Sequence, residues 1–200
     1  MSINNVTCSD CKLHKCNNLN EYNDSFPDGC PSNDAMCTAI IKEYQNEDEL
    51  RIARAAFLVV NEGYGKQNRL EEIISFAKKA EYKTLGIAFC IGLAKEAAVI
   101  ADILKDHNFI VESIICKSGA LSHEVIGFAS IRPMCNPIGQ AILLNELSTE
   151  FNIVVGLCIG HDSLFIKHSK APVTVFAVKD RVLNHNPLEA VYTAFKNDDS

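Results

Sequence analysis

No apolar run in these 200 residues reaches the roughly 18 that a membrane span needs, so no spanning helix is expected. The opening stretch, MSINNVTCSDCKLHKC, lacks the apolar core of a secretory signal, and a cytoplasmic location is the expectation. The phosphate-binding Walker loop is missing, and no GxGxxG follows a strand. Gly63-Tyr64-Gly65 falls between helical stretches and is only a chain break. Nor is there a GxSxG nucleophile elbow of the α/β-hydrolase kind. A basic excess is absent as well: the net charge is -6, which argues against a nucleic-acid surface. Aliphatic residues are scarce over the first 37 positions, where Asn, Asp, Ser, Pro and Gly prevail.

Cysteine is what the chain has in excess. There are nine, and five of them, Cys8, Cys11, Cys16, Cys30 and Cys37, fall in the first 37 residues. In a reducing compartment clustered thiols bind metal or do redox work more often than they form disulfides. A segment so poor in aliphatic residues cannot bury enough apolar surface to offset its chain entropy. A metal would supply the missing stabilisation. Cys8, Cys11, Cys16 and Cys30 give C-x2-C-x4-C-x13-C-P, and four thiolates suit tetrahedral zinc or an iron–sulfur cubane. The domain reading is a cysteine-rich metal module over residues 1–40 and an α/β domain over 41–200. Cys37, ahead of a helical run, is a spare ligand or a plain buried thiol, and the buried thiol is the favoured reading.

Beyond the module the pattern is helical first, over Glu47 to Asn61 and Gln67 to Ala80, and then alternates. Thr84–Phe89, Phe109–Ile115, Asn152–Leu157 and Val173–Val178 read as strands. Helices are expected over Leu93–His107, Ile138–Leu147, Ser163–Lys167 and from Asn186-Pro187 to Phe195. Four strands with crossover helices predict an α/β fold with a doubly wound, mostly parallel, Rossmann-like sheet. In such a sheet ligands bind outside the carboxyl ends of the strands.

That edge is where the other cysteines fall. Cys90, Cys116 and Cys158 follow three successive strands, and Cys135 precedes a helix that must start from the same edge. Adjacent strands lie about 5 Å apart, so these four thiols can reach a common centre. They could close a zinc site, hold an iron–sulfur cluster, hold one with an open iron, or form a redox disulfide. Single cysteines from four separate segments suit a cubane, whose corners point four ways, better than a zinc ion, which is usually bound by paired cysteines on short knuckles. The plain alternative is core filler, because cysteine is among the most buried residue types. His161 and Asp162 follow Cys158 closely; each is a candidate for proton transfer, and Asp162 equally for a helix N-cap. Lys117, Lys179 and Arg181 are strand-end cations able to hold an anionic substrate. His123 and His185 are more often structural in such loops, His14 and His107 read as surface residues, and His168 is a weak candidate.

The segments GIAFCIGLAKEA (86–97), CKSG (116–119), MCNPIGQAILLN (134–145), GLCIGHDSLFIKHSKAPVTVFAVKDRVLNHNP (156–187) and the leading C-x2-C-x4-C also carry a resemblance. Over nearly its whole length the chain resembles a family of uncharacterised prokaryotic proteins labelled only as metal-binding, many of them from anaerobes. The resemblance implies a cysteine-rich, metal-binding, cytoplasmic protein, and it implies no substrate or reaction. Cys37 lies outside its motifs.

The functional expectation is an iron–sulfur protein, with 4Fe-4S clusters at one or both cysteine groups. It would act in redox or sulfur chemistry with a small-molecule substrate or an electron-transfer partner. Cys158, His161, Asp162 and Arg181 are the candidate catalytic groups. The alternative is a non-catalytic metal-binding or sensing protein with zinc in one or both sites. A metal-free thiol enzyme, with Cys158 as nucleophile and His161 as base, is the third reading.

Overall fold

The computed structural model describes residues 8–17, 30–32 and 34–198. The expected N-terminal module therefore lies partly outside the described residues, at positions 1–7, 18–29 and 33. The chain divides into two compact units, Met1–Phe57 and Leu58–Ser200. In the first, short 3-10 turns span Cys8–Asp10 and Lys15–Asn17, and helix α1 spans Asp34–Glu43. Cys37 lies within α1, not ahead of it, and is half-buried instead of buried. Helix α2, Glu47–Gly63, opens with Glu47, Asp48 and Glu49 against the positive end of its dipole. Asn46 caps it, its side-chain oxygen accepting the Asp48 N–H at 2.9 Å.

In the second unit, helix α3 spans Arg69–Lys79. A capping box starts it: Asn68 accepts from the Glu71 N–H while the Glu71 carboxylate accepts from the Asn68 N–H. Strand β1 (Thr84–Phe89), helix α4 (Ala94–Asp106), strand β2 (Ile110–Ile115), helix α5 (Pro137–Glu146) and strand β3 (Phe151–Val155) follow. Helix α6 (His161–His168), strand β4 (Val173–Ala177) and helix α7 (Leu188–Asp198) complete the order. The sheet is entirely parallel with strand order β2-β1-β3-β4. Winding reverses after β2, because the chain crosses back over β1 to lay down β3. Right-handed crossovers then put α4 and α5 on opposite faces. The α/β, doubly wound, parallel expectation holds.

The two faces have different chemistry. On one, Ala88, Ala141, Leu144, Val154 and Phe165 form a tight cluster under α5 and α6. On the other, Phe76 of α3 packs on Phe151 at a ring separation of 5.1 Å, and Tyr82 stacks on Phe151 at 5.3 Å. All five residues of β3 are buried, as its unbroken apolar run requires of a central strand. Its one polar member, Asn152, is satisfied by Thr149 and Ser169 at 2.8 Å each.

Close packing explains one glycine. A Cβ on Gly86 would collide with the Asn152 side chain and meet Leu144 at 3.0 Å. Gly86→Ala is therefore expected to lower stability by about 1–3 kcal/mol, read as a shift of the urea midpoint. An unchanged midpoint would mean that α5 yields to the extra methyl.

Candidate functional site: a cysteine-lined strand edge

Register places the cysteines. Phe89 stands opposite Ile115 on one side and Val155 on the other, so β1, β2 and β3 end level. The next residues leave the sheet together. The Cys116 N–H donates to the Phe89 carbonyl at 2.9 Å, and the Cys90 N–H to the Val155 carbonyl at 3.1 Å. The ladder thus runs one residue beyond the strands and fixes both cysteine backbones. Gly156 then turns with φ 64°, where a Cβ would strike Leu93, and the chain reaches Cys158 at the same edge.

Cys135 arrives by another route. The Asn136 N–H donates to the Cys116 carbonyl at 2.7 Å, which clips the start of α5 onto the end of β2. The Asn136 side chain caps α5 through the Gly139 N–H at 2.8 Å and donates back to the Ser118 carbonyl at 3.2 Å. Deeper in the helix, Gln140 is fully buried, and its Nε2 donates to the Ile114 carbonyl at 2.7 Å and the Phe89 carbonyl at 3.2 Å. These two polar residues, which the sequence reading passed over, fasten α5 to the two strands that carry Cys90 and Cys116.

The result is a pair and two neighbours. Cys135 and Cys116 bring their sulfurs to 3.9 Å, and the Ile91 N–H donates to the Cys116 sulfur at 3.3 Å. Burial pushes the Cys116 thiol up to about 11; the Ile91 N–H works the other way, and the sulfurs of Cys135 and Cys90 add to the rise. Arg181, from the loop after β4, donates through Nη2 to the Cys158 sulfur at 3.3 Å. That bond and the charge of Cys158 hold the guanidinium above its ordinary value, with smaller contributions from Cys90 and Cys135.

The other candidates are distributed around it. Arg181, not His161, is the side chain bonded to Cys158. His161 opens α6, and its backbone N–H donates to the Cys158 carbonyl at 2.9 Å. The helix N-cap is Gly160, with φ 79°; Asp162 sits in the first turn and accepts from the Ser163 N–H at 2.8 Å. Asp162 is thus a first-turn carboxylate and not the cap. The Lys117 ammonium donates to the Pro133 carbonyl at 2.6 Å. His123 Nδ1 pairs with the Arg132 carbonyl, and His185 Nδ1 accepts from the Asp180 N–H, so both brace loops. His168 ends α6, at the opposite end from Cys158.

Among the first-unit cysteines, the Cys11 thiol is lowered from its ordinary value, first by the His14 N–H and then by the Leu13 N–H.

Does this chemistry suit a metal? On the strand edge the donor set is soft and, with Cys116 and Cys90 buried, well shielded. Ligand sulfurs on one tetrahedral zinc, with Zn–S near 2.3 Å, stand about 3.8 Å apart, so the Cys116–Cys135 separation of 3.9 Å matches one ligand edge. Among the described residues, however, no group of three or more His, Cys, Asp or Glu side chains is arranged to hold an ion.

The fold and this edge define a class: an all-parallel α/β protein with a thiol-rich carboxyl edge. The chain belongs to the family described as "Protein of unknown function (DUF1847)", which matches residues 30–176. That span contains Cys90, Cys116, Cys135 and Cys158 and stops short of Arg181. The chain is 53% identical over 161 residues to "Uncharacterized protein MJ0455" of Methanocaldococcus jannaschii, covering 78% of this chain and 83% of that protein. No solved structure matches it. Membership of an uncharacterised prokaryotic family is as the resemblance implied; neither description mentions a metal. No helix of the described residues is long and apolar enough to cross a membrane.

Proposed function

We propose that this protein binds a soft metal centre at the carboxyl edge of its sheet through Cys90, Cys116, Cys135 and Cys158. What supports this reading is that four separate segments bring one thiol each to the carboxyl edge of the sheet, with the Cys116 and Cys135 sulfurs 3.9 Å apart. The finer reading is a 4Fe-4S cluster used in redox or sulfur chemistry on a small molecule. When bound, such a cluster supplies one-electron transfer or an open Lewis-acidic iron. Arg181 offsets thiolate charge beside Cys158, and His161 and Asp162 stand at the same edge as candidate proton carriers. A second centre at Cys8, Cys11, Cys16 and Cys30 is supported by their C-x2-C-x4-C-x13-C spacing.

One observation favours the zinc reading, with metal storage or sensing in place of catalysis. It is the Cys116–Cys135 separation, which suits two ligands of a single ion better than two corners of a cubane.

The two are separated by metal and acid-labile sulfide analysis of protein purified without oxygen. Iron with sulfide and visible charge-transfer absorption, reduced in Cys158→Ala and in Cys11→Ala, is the result expected of two clusters. Zinc without sulfide would select the storage reading, and a metal-free protein that refuses both would end the proposal.

A further inference from the structure

We propose that the edge carries a subsite for a small tetrahedral dianion, phosphate-like or sulfate-like, held by Lys179 and Arg181. This names the substrate class for the site read above and rests on its being a small-molecule site. The position is the reversal point of the sheet, between β1 and β3, where crevices form in doubly wound folds.

Lys179 follows β4 and reaches back across β3 towards β1. Its Cε lies 3.5 Å from where a Cβ on Gly156 would stand, and its Nζ lies 3.6 Å from the same point on Gly92. The Cys90 sulfur is 3.9 Å from that Gly92 position, so the ammonium and the thiol flank one spot. Two glycines leave the room that this path needs. Arg181, two residues on, reaches the Cys158 sulfur. The two cations thus arrive beside thiols on one edge, since Cys90 directly follows β1 and Cys158 lies three residues beyond β3.

Among the described residues, neither cation has a carboxylate partner. Lys179 is half-buried and forms no hydrogen bond or ion pair among the described residues. Arg181, which is exposed, spends one nitrogen on Cys158, and among the described residues its other N–H groups have no protein partner. The nearby acids are engaged by backbone: Asp180 Oδ1 accepts from Val182 and Leu183, both at 2.9 Å, and Asp162 accepts from Ser163. The third cation, Lys117, is spent on a carbonyl. The ion pairs of the described residues, Arg51–Asp48, Arg69–Glu72, Lys79–Glu62 and Lys105–Asp102, all lie elsewhere.

A partly buried ammonium without a partner is costly, and an anion supplies what is missing. Two cations of different shape call for a dianion. The planar guanidinium offers paired donors to two oxygens, while the ammonium meets a third as a point charge. A single carboxylate would neutralise only one of them. Bound there, the oxyanion would hold the rest of its molecule against Cys90 and Cys158.

The test uses the full chain with inorganic phosphate and sulfate as probes, and sodium acetate and sodium chloride at matched ionic strength as controls. Binding is followed by calorimetry and by the thermal midpoint, which a ligand of the native state raises. Phosphate and sulfate are expected to raise the midpoint beyond both controls. Lys179→Met and Arg181→Met are each expected to weaken binding by about tenfold or more, the usual worth of a charged hydrogen bond. Lys179→Arg keeps the charge and is expected to retain most of it, which separates charge from misfolding. No response beyond chloride overturns the subsite, as does binding that survives both Met variants. Acetate as effective as phosphate overturns the dianion class. Metal content measured on the same samples keeps the readings apart. Phosphate binding by metal-free protein would retain the subsite and sink the metal, and metal without phosphate binding would do the reverse.

Discussion

In metal-free protein, iodoacetamide at neutral pH is expected to alkylate Cys135 and Cys158 in the folded chain while Cys116 stays unmodified until the chain unfolds. Alkylation needs thiolate. With Cys116 pushed up to about 11, only about one molecule in ten thousand carries it as thiolate at pH 7, against about one in a hundred for an ordinary value of 9.0. Burial to 2% exposure slows attack further, whereas Cys135 and Cys158 are half-exposed. Peptide mapping by mass spectrometry reads the order directly. Cys116 labelled as fast as Cys158 would mean that the edge opens readily.

The same shift has a thermodynamic side. The folded protein holds the Cys116 proton more tightly than the unfolded chain, so this group's contribution to stability is complete below about pH 9. It is lost as pH rises from 9 towards 11, by about 1–2 kcal/mol once water at the edge is allowed for. A metal at this edge must displace that proton, so uptake should strengthen with pH and release acid. Stability and metal affinity therefore move in opposite directions with pH.

Much of this edge could be read in the sequence because it depends on strand ends. The run Ile153–Leu157 marks a strand buried on both faces, and Cys90 and Cys116 directly follow apolar β-branched or aromatic stretches, so the cysteines fall on one edge wherever the exact boundaries lie. What the sequence left hidden is bonding across long separations. Arg181 lies 23 residues from Cys158, and imidazole three residues away was the nearer guess. Helix α6 starts at His161 because Gly160 takes a positive φ, which moves Asp162 into the first turn. Strand β4 ends at Ala177, one residue before the expected Val178, and its register against β3 slips between Val154 and Val155, leaving Val155 opposite Ala177. Periodicity also shows which helix face is buried but not whether a buried polar residue on it bonds main chain. Gln140 was therefore invisible among Ile138, Ala141 and Leu144.

Gln140→Leu is expected to cost about 1–3 kcal/mol and to loosen the thiol pair as well. The substitution keeps a side chain of roughly similar size but removes donation to the carbonyls of Phe89 and Ile114, the residues that lead into Cys90 and Cys116. Gln140 Oε1 is itself buried without a partner, so its removal returns part of the loss and keeps the figure modest. Stability alone would not show a positioning role. Ile73→Val, on the buried face of α3, is the control, at about 0.5–1.5 kcal/mol. At matched stability in low urea, Gln140→Leu should speed labelling of Cys116 and Cys135, and Ile73→Val should not. Equal labelling in both would reduce Gln140 to a packing residue. Faster labelling in Gln140→Leu alone would show that α5 holds Cys135 in place through the ends of β1 and β2.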